Sequence, residues 1–318
     1  MRAAVLDVGS CAANLVVTDP GSGVLAARAW KRRTMLAETL KPDGTITAKG
    51  RHRLVEAVAA AADELGRADV DDVFAYATAA VRDAPNRGQV LDAVESETGI
   101  RLRLLSGVDE ARLTFLAVRR WLGRTGPLLM LDIGGGTLEV ASGTDQLPDA
   151  ALSVPLGAGR LTREFLGDAD PPRPAAVRNL RRHVRAEVRQ IAARSGGYDA
   201  RTTVATSVTL RQLARLTGAP PLRRGPFVDQ RLRRRALRPW IDRLAAMPAA
   251  RRARMPGVST HRARQVLAGA IVAYELMRAL DIDETRVCPW GLREGILLAR
   301  VCPAEYEVAR STWVRVRG

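Results

Sequence analysis

Short apolar runs open this 318-residue chain. Ala3–Leu6, Leu15–Thr18 and Val24–Ala26 read as strands, and Asp19-Pro20-Gly21-Ser22-Gly23 between the last two predicts a hairpin turn. A second turn is predicted at Pro42-Asp43-Gly44. The period then changes: Leu54, Val58, Ala61, Ala62 and Leu65 recur at helical spacing. Val73–Ala77 predicts a strand, Val90–Thr98 a helix, and Leu102–Leu105 a strand ending at Ser106-Gly107. There a helix begins whose apolar positions include Leu113, Leu116 and Val118. Further on, Leu128–Ile133 and Leu138–Ala141 read as strands, and Val177, Leu180, Val184, Val188 and Ile191 form an apolar helical stripe. Arg178, Arg181, Arg182, Arg185 and Arg189 cover the other side of that helix. Arg231–Arg235 is predicted to open a second arginine-covered helix, with later helices at Val266–Met277 and Gly291–Ala299. Helices alternating with strands after an initial meander indicate an α/β layer fold.

The opening pattern occurs twice. Val5-Leu6-Asp7-Val8-Gly9-Ser10 is an apolar strand, an aspartate, a glycine and a hydroxyl; Leu131-Asp132-Ile133-Gly134-Gly135-Gly136-Thr137 repeats it 125 residues later. Just before the repeat lies Gly123-Arg124-Thr125-Gly126-Pro127, the best linker in the chain. Two domains are therefore expected, at 1–124 and 125–318, as similar halves facing each other across a cleft, with the last helix packing back on the first.

Composition narrows the class. Charged residues at 26% and hydrophobic residues at 47% exclude a disordered chain, a collagen and a small disulfide scaffold. With aromatics at 4%, the core must be built from Ala, Val, Leu and Ile. Asp7 arrives too early for a signal-peptide apolar region, and no run approaches the roughly 18 apolar residues of a membrane span. Cys11, Cys288 and Cys302 have neither the number nor the spacing of a disulfide frame or zinc site. A soluble cytoplasmic protein is expected. The formal charge of +16 is uneven: residues 1–150 hold 18 basic and 20 acidic groups, residues 151–318 hold 32 and 14. All but three of the 50 basic residues are arginine, and thirteen fall between Arg223 and Arg264 against Asp229 and Asp242 alone. Either these are solvated helix faces, or one half of the chain meets a polyanion: nucleic acid, a membrane surface or polyphosphate.

The candidate chemistry sits at the turns. Consecutive glycines after an apolar strand weaken a sheet unless something must approach the backbone closely, and peptide N–H groups in such a turn can converge on a phosphate. Thr137 adds a hydroxyl donor, and Asp132 can hold a metal-bound water. Asp109 and Glu110 open a helix, where acids favour the macrodipole; a carboxylate there can also orient or deprotonate a water. Arg82 follows a strand's C-terminal end, where α/β sheets keep their ligands. His52, His183 and His261 are scattered singly and suggest no metal site or catalytic triad.

Together these segments resemble the exopolyphosphatase / guanosine pentaphosphate phosphohydrolase (Ppx/GppA) family of the actin-like ATPase superfamily. The resemblance rests on Asp7-Val-Gly-Ser10, Ala77-Thr-Ala-Ala-Val-Arg-Asp-Ala84, Ser106-Gly-Val-Asp-Glu-Ala-Arg-Leu113 and Asp132-Ile-Gly-Gly-Gly-Thr-Leu-Glu139. It continues through Leu156-Gly-Ala-Gly-Arg-Leu-Thr162, Leu210-Arg-Gln-Leu-Ala214 and Gly291-Leu-Arg-Glu-Gly-Ile296. It implies two actin-like (ribonuclease H-like) domains without the HD-type extension of longer members. It also implies a hydrolase of the terminal phosphoanhydride of polyphosphate, or of the 5′ phosphate of guanosine pentaphosphate, assisted by Mg²⁺ or Mn²⁺ and acting as a homodimer, with guanosine penta- or tetraphosphate as further binding partners. By position, Glu110 and Glu139 are the implied catalytic carboxylates. Gly9 and Ser10, Arg82, and Gly134, Gly135, Gly136 and Thr137 are the implied phosphate binders; Asp7, Asp132 and Glu139 are the implied metal ligands.

Some positions depart from the pattern. Cys11, Ala12 and Asn14 stand where the family has Asn, a hydroxyl residue, and Arg or His, so donors to phosphate are lost. Val208 replaces a glycine in Ser207-Val208-Thr209, where valine resists a positive φ, and Arg264-Gln265 stands where Arg-Asp is common. Cys11, Ala12, Asn14 and Val208 support a second reading, a weak or inactive sensor of polyphosphate or alarmones; a third, an actin-like kinase or ATPase, needs a nucleotide-binding glycine loop in the second domain, and Val208 counts against it. No nucleic-acid-reading module is recognisable.

Overall fold

The computed structural model describes residues 2–18, 26–194, 202–225 and 228–301. The turn expected at 19–23, Val24, Leu25 and Cys302 lie outside the described residues. The chain divides into two compact units, 1–117 with 292–318, and 118–291.

The first unit is built on a five-stranded sheet of β1 (Ala3–Val8), β2 (Ala12–Thr18), β3 (Ala26–Arg33), β4 (Asp72–Ala77) and β5 (Arg103–Leu104). Its order is β3-β2-β1-β4-β5, with β1–β2 and β2–β3 antiparallel and β1–β4 and β4–β5 parallel. β3 lies further along the chain than the expected 24–26. Its Trp30-Lys31-Arg32-Arg33 run has no apolar alternation to announce it, and the strand is held by its pairing with β2. Helices α1 (Ala48–Gly66), α2 (Ala79–Arg82), α3 (Arg87–Thr98) and α4 (Gly107–Leu122) complete the local order; the division between the units falls inside α4. The core gathers Leu6, Val8, Leu15, Leu54, Val58, Val90 and Val94.

In the second unit, six strands follow: β6 (Leu128–Ile133), β7 (Leu138–Gly143), β8 (Ala150–Val154), β9 (Thr202–Thr206), β10 (Arg231–Arg233) and β11 (Glu284–Val287), in the order β10-β11-β9-β6-β7-β8. β6–β7 and β7–β8 are antiparallel, and β6–β9 and β9–β11 parallel. Each unit thus carries the same frame: an antiparallel three-strand meander whose first strand is continued by parallel neighbours. The repeat read from the two turns is a repeat of topology. The helices are α5 (Ala158–Leu161), α6 (Pro174–Arg194), α7 (Ser207–Leu216), α8 (Arg234–Ala245), α9 (Ala249–Arg252) and α10 (Val266–Ala279). α10 is buried along most of its length, and α6 and α8 pack on it through Leu180, Val184 and Val188, and Leu237, Ile241 and Leu244.

The expected helix start at Arg231 is corrected. Arg231–Arg233 is an edge strand antiparallel to β11, and the helix begins at Arg234. Leu232 enters the core while Arg231 and Arg233 face outward to Glu284, a partner far off in sequence.

The closing helix α11 (Leu292–Val301) belongs to the first unit and packs on β1. Gly295 makes this possible: a Cβ there would lie 1.9 Å from the Leu113 carbonyl oxygen, so α11 meets α4 backbone to backbone. Among the described residues no helix is long and apolar enough to cross a membrane.

Candidate active site

Strand register places a polar row on one face of each sheet at the level of the turn. In the first unit Tyr76, Asp7, Asn14 and Lys31 stand opposite one another across β4, β1, β2 and β3. In the second the row is Thr206, Asp132, Glu139 and Ser153 across β9, β6, β7 and β8. Directly opposed residues share a face, so Asp132 and Glu139 are neighbours on one surface, as are Asp7 and Asn14.

The turns above these rows match in detail. Gly9 N–H donates to the Ala12 carbonyl at 3.0 Å, and Gly134 N–H to the Thr137 carbonyl at 2.9 Å. In the second unit the turn's carbonyls are taken from below. Gly157 donates to Gly136 (3.2 Å), Ala158 to Gly134 (3.0 Å) and Arg160 to Gly135 (2.9 Å). The amides of Gly135, Gly136 and Thr137 donate to no protein acceptor among the described residues. With its carbonyls turned into the protein and its amides left over, the turn has the polarity of an anion nest. The close approach that the glycines signal is the start of α5: a Cβ on Gly157 would lie 2.2 Å from the Gly136 carbonyl carbon. In the first unit, residues 34–37 play this part, Thr34 and Met35 donating to the Cys11 carbonyl and Ala37 to that of Ser10. The Ser10 hydroxyl lies 3.7 Å from the buried Cys11 sulfur.

Burial raises the Asp132 carboxyl to about 6. The Ser207 hydroxyl, bonded to it, and the Arg211 and Arg262 guanidiniums pull the other way. Ser207 itself sits at φ +91°, unusual for a residue with a side chain. This corrects the expectation for the neighbouring loop: Val208 lies in the first turn of α7 outside the left-handed region, and the strained residue is the serine that faces Asp132. Such strain persists only where the surroundings over-determine it. Glu139 is buried and accepts from the Ser153 hydroxyl at 2.8 Å.

In the first unit burial also lifts the Asp7 carboxyl above its ordinary range, opposed chiefly by Arg293 of α11. Asn14, counted as a lost phosphate donor, has a use within the protein: its amide donates to Asp7 Oδ2 at 3.5 Å. Buried Tyr76 stands beside Asp7, and both burial and the Asp7 charge push its hydroxyl pKa well up. Of the two acids opening α4, Asp109 is spent on the helix cap, its carboxylate accepting from Ser106 Oγ at 2.6 Å and its amide donating back at 3.1 Å. Glu110 turns inward, only 6% exposed, and accepts from Arg82 Nη1. The same guanidinium holds Asp83 at 3.0 Å and the Leu105 carbonyl at 3.1 Å. The structure therefore brings Arg82 to Glu110, and Asp132 to Glu139 and the glycine turn. Tyr76, Arg293, Ser153, Thr206 and Ser207 join these groups through register and packing that local sequence does not display.

The residues 20–302 match the model of the Ppx/GppA phosphatase family. The chain belongs to that family. It is 46% identical over 311 residues to Exopolyphosphatase 1 of Mycobacterium tuberculosis, covering 95% of this chain and 88% of the relative. The crystal structure of the Aquifex aeolicus family member superposes with a TM-score of 0.78 at 25% identity, over 96% of this chain and 99% of that one. An exopolyphosphatase structure from Cytophaga hutchinsonii shares the fold with a TM-score of 0.84 at 21% identity, over 95% and 98%.

Proposed function

We propose that this Ppx/GppA protein is an exopolyphosphatase, a hydrolase that releases the terminal phosphate of inorganic polyphosphate. The observation that carries this reading is the Gly134–Thr137 turn, whose carbonyls are locked by α5 and whose three amides have no protein acceptor among the described residues. A phosphate oxygen is the natural occupant of such amides. The 46% identity to a relative named exopolyphosphatase supports the same substrate class.

Phosphoryl transfer needs positioning and charge neutralisation more than covalent help. In this reading the turn and the Thr137 hydroxyl hold a terminal phosphate, with Gly9 and Ser10 serving as a second phosphate turn. Arg82 offers its guanidinium to phosphate oxygens, and Glu110 orients the attacking water and receives its proton. Among the described residues no group of three or more metal-type ligands is preassembled. The donor set is nevertheless of the right kind: Asp132 and Glu139 are hard oxygen donors sharing one sheet face, and Mg²⁺ is commonly held by one or two carboxylates together with substrate phosphates. Asp132 and Glu139 would hold the ion, with Asp7 the corresponding carboxylate of the first unit. A bound cation would neutralise phosphate charge. Guanosine pentaphosphate, whose terminal phosphate is also an anhydride, is the second candidate substrate, and the cytoplasm is the compartment proposed for both.

Phosphate release from long-chain polyphosphate, short-chain polyphosphate and guanosine pentaphosphate, run side by side with and without Mg²⁺, tests the reading. Glu110→Gln is expected to keep polyphosphate binding while lowering turnover by about 10²–10⁴-fold. Near-wild-type release by that variant rejects the assignment of Glu110; no release by the wild type on any of the three rejects the activity.

A further inference from the structure

On α6, Arg178, Arg182, Arg185 and Arg189 recur at i, i+4, i+7 and i+11, so they form one row about 16 Å long. Like charges at this spacing disfavour a helix unless something neutralises them. The protein neutralises only part of the row. Glu275 of α10, fully buried, takes Arg185 at 2.9 Å and Arg181 at 3.8 Å. Arg178, Arg182 and Arg189 are exposed and have no acidic partner among the described residues; Arg182 bonds only Asn179. Beside them, α8 presents Arg235 and Arg238, also exposed and without an acidic partner among the described residues. Both helices pack on α10, and Arg181 reaches Asp242 of α8 at 3.9 Å, so the two sets of arginines are neighbours.

A linear array of uncompensated guanidiniums fits a linear polyanion, because each planar fork can grip a phosphate group with two parallel hydrogen bonds. The surroundings discriminate between such partners. The exposed large hydrophobic residues among those described are Val73, Val108 and Val208, none of them on α6 or α8, so the face offers no apolar anchor for a bilayer. The aromatic residue of α8, Trp240, has Arg243 stacked 5.3 Å from its ring centre and offers no open platform for bases. A polyanion without bases or lipid remains. We infer that the arginine face of α6 and α8 is a docking rail for the body of a polyphosphate chain, outside the residues that hold its reacting end. The inference rests on the exopolyphosphatase reading for the identity of the polymer, and its test is one of binding alone.

Fluorescence anisotropy of end-labelled long-chain polyphosphate, in the full-length Glu110→Gln background, compares Arg178→Gln/Arg182→Gln/Arg189→Gln with Arg51→Gln/Arg67→Gln/Arg101→Gln, a control that removes equal charge from the first unit. The rail triple is expected to weaken binding roughly 10- to 100-fold at 0.15 M salt and to lower the log–log salt slope by about 2, while the control changes little. Replacing the same three arginines by lysine is expected to restore most of the affinity. Unchanged affinity in the rail triple, or an equal loss in the control, overturns the inference. So does equal binding of an RNA of the same charge or of phosphatidylserine vesicles. Residual turnover by Glu110→Gln would count against the catalytic assignment alone, because the binding comparison does not use it.

Discussion

Arg82, at the end of the short helix after β4, donates to Glu110 on α4, a carboxylate that is 6% exposed. The arginine therefore does two jobs in the free protein: it neutralises a buried acid and ties the β4 end to the Leu105 carbonyl before α4. Removing it takes a charged donor from Glu110. Arg82→Ala is expected to cost about 2–4 kcal/mol in urea unfolding, through the lost charge-assisted hydrogen bonds to Glu110, Asp83 and the Leu105 carbonyl. Arg82→Lys keeps a charge but not the fork, and should lose less. A wild-type unfolding midpoint for Arg82→Ala would show that the pair contributes nothing to the fold.

Gly157 is required by contact rather than by φ. Alanine at that position would put its Cβ 2.4 Å from the Thr137 nitrogen as well as 2.2 Å from the Gly136 carbonyl carbon, so the turn must move. Gly157→Ala is expected to destabilise by about 1–3 kcal/mol and to weaken polyphosphate binding with it. Gly88→Ala, in open space on α3, should stabilise by up to about 1 kcal/mol. If the two substitutions behave alike, the backbone contact with the turn is not what fixes Gly157.

The two glycine hairpins were legible because every element of the signal is local: an apolar strand, an acid at its end, glycine, and a strand resuming within a few residues. The same holds for Arg82 and Glu110, each set beside a strand or helix end. What escaped was non-local. Thr206, Ser153 and Tyr76 enter the polar rows only through register with strands tens of residues away. The strain at Ser207 could not be read because the residue that suggested a left-handed position was its neighbour Val208. β10 does not show as a strand in the sequence because three residues of Arg-Leu-Arg are too few to display a period of two, and their partner Glu284 comes about 50 residues later. Glu275 left one clue, a single acid inside the apolar run of α10, whose meaning depends on arginines from another helix.

Glu284 gives the fold an acid-sensitive point. Its hydrogen bonds from Arg233 and Arg231, both 2.5 Å, hold its carboxyl below the usual range. A carboxylate with a lowered folded pKa stabilises the protein above its unfolded pKa and loses that contribution as pH falls through the folded value. Stability should therefore decline below about pH 4.5, the ordinary range of a glutamate. Glu284→Gln should remove this part of the slope, at a cost near neutral pH of about 1 kcal/mol, because the site is partly exposed. Urea midpoints from pH 3 to 7 for the two proteins read this directly; parallel curves would assign the acid sensitivity elsewhere.

Glu275 couples the core to the arginine rail. Fully buried, it holds Arg185 at 2.9 Å and Arg278 at 3.0 Å, with Arg181 at 3.8 Å. Glu275→Gln preserves the shape but removes the charge, leaving three guanidiniums around a neutral amide. The expected loss is about 1–3 kcal/mol, below that for a fully buried pair because the arginines are 30–43% exposed and can turn to solvent. Arg185, once released, joins Arg178, Arg182 and Arg189 in the same row, so polyphosphate should bind more tightly and with a steeper salt dependence. Stability and polyphosphate affinity then move in opposite directions, which a merely loosened fold would not produce. A variant in which both fall together would mean that Glu275 serves the core alone and that Arg185 is no part of the rail.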